Sequence, residues 1–324
     1  MSKLTRRSFV AAGAAVLAAP YIPASAQLVS KPVRIIVPYP AGGQTDIIAR
    51  SFAEVLTREL GQPVIVDNKG GGAGVIGVTE AKRAPADGST LLCTISSSLI
   101  QNRFTMKDVT YDAEADFVYP TALNVIGFPM VASAATKASN LAEFIEYARK
   151  AEKLNFGAYG VGSFPHLLAE VMIRQYDLKA ATVHYRGEAP MWTDIAGQTI
   201  DAGSGSYGAA LPVLESGRGK IIGVIGERLP PQPDAPTLTE QGAKGSFYDV
   251  RSFTAFAMTA RTPTELVRKY SEILVKAQDD PKVKQVMATF MLGAPTSLEQ
   301  SQARVRNDTR IIRDLLAELN IRAE

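Results

Sequence analysis

The stretch VRIIVPYPAGGQTDIIARSFAEVLTREL, residues 33–60, changes period in its middle. Residues 33–39 form a β-branched run that reads as a buried strand, and Pro40-Ala41-Gly42-Gly43 ends it. From Thr45 onward, Ile48, Phe52, Val55, Leu56 and Leu60 recur at three- and four-residue steps, the spacing of an amphipathic helix. Gly61 supplies the stop. Strand, glycine turn and helix make up the repeating unit of α/β sheets. Two further strands are predicted over residues 64–67 and 90–95, with a helix over 74–83 between them. That βαβαβ order implies a parallel sheet with helices on both faces.

The pattern restarts after residues 124–133. Helices are predicted over 139–151, 164–176, 189–195 and 207–216, and strands over 155–159, 181–185, 200–206 and 220–226. Leu229-Pro230-Pro231-Gln232-Pro233-Asp234-Ala235-Pro236 reads as a rigid connector. A strand over 253–260 and helices over 264–278, 281–290 and 297–320 follow, the last opened by the capping-box pattern Ser297-Leu298-Glu299-Gln300. The same α/β grammar occurs twice, with segments on both sides of the second copy. We therefore expect two α/β lobes joined by at least two crossings, residues 27–125 plus 230–324 forming one and 126–229 the other. Ligands of open α/β sheets bind beyond the carboxyl ends of the strands, so the site is expected in the cleft between the lobes.

Residues 1–26 read as an export signal: Lys3, Arg6 and Arg7, an alanine-rich apolar stretch, then Ala24-Ser25-Ala26 as cleavage site. Arg6-Arg7 with Phe9 has the twin-arginine pattern, so a periplasmic location is expected. Removing those three bases from 35 leaves as many as the 32 acids, a balance that argues against nucleic-acid binding. Cys93 is the only cysteine, which excludes a disulfide framework and a thiolate metal site. It sits in an apolar run and is expected to pack as a small hydrophobe.

Gly72-Ala73-Gly74-Val75-Ile76-Gly77 spells the dinucleotide pattern G-x-G-x-x-G. It follows the second strand instead of the first, and Asp87 lies only 10 residues past Gly77, too near for a ribose partner. The cytoplasmic nicotinamide pool is also out of reach of an exported chain. These glycines are read as a strand-to-helix turn that lets the helix pack closely.

Two other loops carry the binding expectation. In the first, Tyr39, Ala41, Gly42, Gly43, Thr45 and Asp46 join strand one to helix one. The first amides of a helix lack internal partners and its dipole favours an anion there, so a carboxylate needs no side-chain charge to be held. Asp46 either caps its own helix or meets the ligand, through water or at an amine or hydroxyl. In the second, Gly162 and Ser163 precede a helix with Pro165 in its first turn, and His166 orients or packs. Ser96, Ser97 and Ser98 after strand three, and Arg186-Gly187-Glu188-Ala189-Pro190 before a helix, are expected on the cleft rim. No nucleophile elbow, catalytic triad, phosphate loop or metal-ligand spacing is present in the sequence. The chain is therefore read as a binder without cofactor or metal, not an enzyme; an exported α/β hydrolase or transferase is the weaker alternative.

At these residues the chain resembles the Bug-type, TctC-like extracytoplasmic solute receptors of tripartite tricarboxylate transporters. The matching stretches are residues 31–46, 60–68, 84–88, 111–112, 160–167, 184–190 and 234–237, in order along nearly the whole mature chain. The resemblance implies a type II periplasmic-binding-protein fold, two hinged α/β lobes with the ligand cleft between them. It implies a monomer that captures a small di- or tricarboxylic, aromatic or amino acid, partly through bridging waters. Its partners would be the transporter's membrane subunits or, alternatively, a membrane sensor kinase. The loops matching Tyr39–Asp46 and Gly162–His166 would grip the ligand carboxylate from both lobes, with the Ser96–Ser98 loop and Ala189 at the site. One departure stands out. Where such receptors often carry an acid facing the ligand's variable end, this chain has Gly205 between Ser204 and Ser206. A smaller, less charged wall there implies an aromatic or dicarboxylic ligand.

Overall fold

The computed structural model describes residues 28–321. The expected export signal and its cleavage site lie outside them. In chain order the strands are β1 (Val33–Val37), β2 (Val64–Asn68), β3 (Thr90–Ile95), β4 (Phe117–Asn124), β5 (Gly127–Ser133), β6 (Leu154–Ala158), β7 (Ala180–His184), β8 (Ala202–Ser204), β9 (Gly219–Gly226) and β10 (Phe253–Thr259). They form two five-stranded sheets, β2-β1-β3-β10-β4 and β7-β6-β8-β5-β9. The helices are α1 (Gln44–Leu60), α2 (Val75–Lys82), α3 (Asn102–Thr105), α4 (Leu141–Lys150), α5 (Phe164–Tyr176), α6 (Glu188–Ala196), α7 (Tyr207–Glu215), α8 (Thr264–Lys276), α9 (Pro281–Thr289) and α10 (Leu298–Glu318).

The stripe Ile48, Phe52, Val55, Leu56 and Leu60 buries α1 on the first sheet, where Phe52 meets Phe256 of β10 with ring centroids 5.0 Å apart. Gly61 ends that helix in the left-handed conformation, φ 62°, which glycine adopts without steric cost. Both halves of the Ser297/Gln300 capping box form at the start of α10. Cys93 is fully buried, and burial pushes its thiol far above the usual range.

Neither sheet is purely parallel. β10 runs antiparallel to β3 and β4, and β5 runs antiparallel to β8 and β9. The reversed strand in each sheet is the one by which the chain arrives from the other sheet. It enters at the cleft end, toward which the other strands run, and so must point away. β4 and β5 are additional to the predicted strands. Residues 124–133, read as the junction, are mostly β5, and only Val125-Ile126 separates the two strands.

The crossings lie side by side. The amide of Val125 donates to the Ser252 carbonyl (2.9 Å), that of Ile126 to Met291 (2.8 Å), and that of Glu227 to Ile126 (3.0 Å). Gly226, φ 100°, allows this, because a Cβ there would stand 2.7 Å from the Ile126 oxygen. The segment after residue 229, assigned from sequence to the first lobe, packs instead on the second. Leu238 N donates to Val224 O (2.8 Å), Gln241 Nε2 to Ile222 O (2.9 Å), and Phe247 stacks on Phe164 with centroids 4.9 Å apart. Its proline-rich start sets a path, but apolar contacts further along decide which sheet it covers.

Candidate functional site

Between the two sheets Tyr39, Ala73, Ile95, Ser97 and Asn102 of the first lobe face Tyr159, Gly160, Val161 and Ser163 of the second across a narrow cavity of about 10 Å³. The lobes touch at its edge. A Cβ on Gly162 would fall 2.5 Å from Thr105 Oγ1, and one on Gly160 would meet the Ala73 methyl at 3.7 Å. A larger open recess of about 370 Å³ lies at the far end of the first sheet, lined by Lys82, Arg83, Asp116 and Arg261. There Lys82 pairs with Asp116 (2.9 Å) and Arg261 donates to the Ala84 carbonyl (3.2 Å).

Two hydroxyls in the cavity wall are buried without a hydrogen-bond partner, Ser97 Oγ and Ser163 Oγ, one from each lobe. Buried polar groups are nearly always paired, so two orphans facing one cavity mark a place where something polar binds. Ser163 is the N-cap of α5, yet its side chain caps nothing. Gly43 is the N-cap of α1 and brings no side chain to the first-turn amides.

The other expected site residues divide by position. Ala41, Gly42 and Gly43 are exposed and outside the cavity wall, while Thr45 is buried in the first turn of α1. Asp46 does not present a free carboxylate. It accepts from the Gly42 amide (2.9 Å), Arg50 Nε (2.9 Å) and Asn68 Nδ2 (3.0 Å), contacts that hold it below the usual carboxylate range against the opposing effect of burial. This network ties down the loop over residues 40–43, so the capping alternative describes its side chain. His166 accepts the Gly162 amide on Nδ1 (2.9 Å), which fixes the turn that presents Ser163. Burial, then His184 nearby, lower its pKa to about 4, so it is neutral at pH 7.

The three serines after β3 diverge. Ser97 faces the cavity, Ser96 sits 3.4 Å from Ser252, and Ser98 bonds Tyr39 OH and donates to the Ala73 carbonyl (2.8 Å). Asn102 Nδ2 donates to the same carbonyl (3.0 Å). Burial pushes the Tyr39 hydroxyl up to about 12 despite its bond to Ser98. Ser98 and Asn102 thus pin the glycine-rich turn against the cavity, and Gly74 must be glycine because a Cβ there would lie 2.4 Å from Ser98 Oγ. Gly77 has the expected packing role: a Cβ would meet Pro38 Cβ at 2.8 Å and the Lys69 carbonyl at 3.0 Å. That the turn also delivers Ala73 to the cavity wall could not be read from spacing.

Ala189 is exposed in the first turn of α6. Gly205 and Ser206 are buried, and the wall beside them is not uncharged. The Glu188 carboxylate accepts from Ser206 Oγ (2.7 Å) and the Ser206 amide (3.2 Å), occupying the start of α7. A Cβ on Gly205 would lie 3.3 Å from the Glu188 carboxyl carbon and 2.7 Å from the Trp192 ring. The acid absent at position 205 is supplied from another element, which removes the basis for expecting a less charged wall. Arg103 pairs with Asp112 (3.4 Å) and Arg251 donates to the Tyr248 carbonyl (2.9 Å). Among the described residues no cluster of three or more His, Cys, Asp or Glu has metal-site geometry, and no helix is long and apolar enough to cross a membrane.

The comparisons with known proteins agree with this architecture. The family described as tripartite tricarboxylate transporter family receptor matches residues 48–319. Protein BugT of Bordetella pertussis is 30% identical over 216 residues, 66% of each chain. The solved periplasmic binding protein BugD superposes with a TM-score of 0.81 at 27% identity, over 91% of this chain and 99% of its own. Rpa4515 of R. palustris, solved with adipate, superposes with a TM-score of 0.84 at 25% identity over the same shares. The two mixed α/β lobes are therefore those of a type II periplasmic binding protein. By the match over most of its length, this chain belongs to the tripartite tricarboxylate transporter receptor family.

Proposed function

We propose that this chain is a periplasmic receptor that closes its lobes on a small organic carboxylate and delivers it to the membrane subunits of a tripartite tricarboxylate transporter. The carrying observation is the pair of buried, unpartnered hydroxyls, Ser97 and Ser163, one on each lobe and facing one cavity. A carboxylate offers acceptors to both at once, and so links the lobes. The uncapped first turn of α5, which begins at Ser163, favours an anion in addition. The adipate in Rpa4515 supports the ligand class. With the lobes in contact the cavity is about 10 Å³, room for about one water, so the lobes must part for an acid to enter and be held between them. The crossings at Val125-Ile126 and near Ser252, joined by the bond from the Val125 amide to the Ser252 carbonyl, are the proposed hinge, so the lobe boundary after β9 moves to the return into β10.

Calorimetric titration of the mature chain with mono-, di- and tricarboxylates, aromatic acids and amino acids tests the reading. At least one acid is expected to bind with one-to-one stoichiometry and to raise the melting temperature. Replacing both Ser97 and Ser163 by alanine should weaken that binding at least about tenfold with little loss of stability, since neither hydroxyl bonds another group of the protein. A chain that binds no carboxylate, or a double variant that binds as wild type, overturns it.

A further inference from the structure

The Glu188 carboxylate is outside the cavity lining, near Tyr159, and takes no part in holding the ligand carboxylate as described above. It comes from the first turn of α6, bonds the Ser206 hydroxyl and amide, and stands over the space where Gly205 has no side chain. Trp192, one turn along α6 and 3% exposed, holds its indole N–H near that carboxylate without a hydrogen bond of ordinary geometry; burial raises the Glu188 pKa, and Ser206 and then Trp192 oppose that rise. Tyr159 completes the group. It lines the cavity, packs against the apolar cluster that contains Trp192, and is raised in pKa by burial first and by the nearby Glu188 charge second.

From the cavity outward the order is thus Tyr159, then a half-buried carboxylate with the unpaired Trp192 N–H beside it. Fixing an anion there costs desolvation, and Arg186, the nearest base in sequence, is exposed. Ser206 and the start of α7 only partly compensate. A carboxylate held in this way accepts hydrogen bonds and repels a second anion.

We infer that the wall formed by Glu188, Trp192, Ser206 and Tyr159 reads the end of the ligand remote from Ser97 and Ser163, and selects a carboxylate that carries a hydrogen-bond donor there, a hydroxyl or ammonium, over one that carries a second carboxylate. Glu188 discriminates by charge, and Gly205 leaves it the room to do so. This inference rests on the receptor reading and narrows its ligand class.

The test is calorimetry at about pH 8 with pairs matched in length: adipate against 6-aminohexanoate and 6-hydroxyhexanoate, succinate against 4-aminobutanoate and 4-hydroxybutanoate, and terephthalate against 4-(aminomethyl)benzoate. The wild-type chain should bind the donor-bearing member at least about tenfold more tightly than the dicarboxylate of the same pair. Glu188→Gln, which keeps the shape and removes the charge, should reduce that ratio to about twofold by tightening the dicarboxylate. Equal or tighter binding of the dicarboxylates by the wild type overturns the inference without any variant having to fold. So does a ratio that Glu188→Gln leaves unchanged. Both of those results leave the receptor reading standing, whereas a chain that binds no acid in either set overturns the two together.

Discussion

Gly162→Ala tests whether lobe contact is part of binding. At φ 71° a side chain costs about 1–2 kcal/mol whether or not the lobes meet, a loss that appears as lower stability of the free protein. The second cost arises only when they meet. The new methyl would lie 2.5 Å from Thr105 Oγ1, 2.9 Å from its Cγ2 and 3.0 Å from its Cβ, across the cleft. Overpacking of this kind costs about 1–3 kcal/mol. If ligand is held only in the closed arrangement, that sum weakens binding roughly fivefold to 150-fold. Thr105→Ala removes the two closest atoms. It also loses the bond from Thr105 Oγ1 to the Gln101 carbonyl (3.1 Å), which lies within its own helical turn. The double variant should therefore recover most of the affinity while keeping the lowered stability, a coupling that a double-mutant cycle isolates. Calorimetry with the tightest acid gives the four dissociation constants. The reasoning fails if Gly162→Ala binds within about twofold of wild type. It also fails if Thr105→Ala rescues nothing, since the loss would then come from the turn itself through the Gly162–His166 bond.

Three other outcomes follow from local geometry. His166 has its folded pKa lowered from 6.5 to about 4, so the unfolded chain takes up the proton first as pH falls. Its contribution is complete above about pH 6.5 and is lost down to about pH 4, up to about 3 kcal/mol; urea melts at pH 7 and about 4.5 should show a smaller drop for His166→Gln than for wild type, and equal drops would rule this out. Asp46→Ala leaves the Gly42 amide, Asn68 and Arg50 without their shared acceptor and should cost about 1–3 kcal/mol, read as a lower melting temperature; an unchanged melt would remove its role as loop clamp. Gly77→Ala presses a methyl on Pro38 and the Lys69 carbonyl, backbone that cannot swing aside, and should destabilise by about 1–3 kcal/mol; a neutral effect in chemical denaturation would contradict the packing argument.

Most of the helices and the strands that start each α/β unit were legible because one buried face writes a period into the sequence, as Ile48, Phe52 and Leu56 do in α1. β4 and β5 were not. Their residues are buried almost throughout, so no alternation survives, and Pro120 and Pro129 lower the strand signal further. The reversal of β5 and β10 was also hidden, because strand direction follows from the route between lobes and not from composition.

At the site, the glycine-to-helix loops and the serine run after β3 announced themselves, and Tyr39, Ser97 and Ser163 from them meet at one cavity. The sequence by itself determined the α/β units, their duplication, and the helix starts where an anion is welcome, since these depend on neighbours within a few residues. Only the tertiary structure decided which atoms remain available. It tied up Asp46, Ser98 and His166 in internal bonds, brought Ala73 and Tyr159 to the wall, and set Glu188 in the space beside Gly205. Each of those outcomes depends on pairings between residues distant in the chain, and a polar group is free or spent only once its partners in space are fixed.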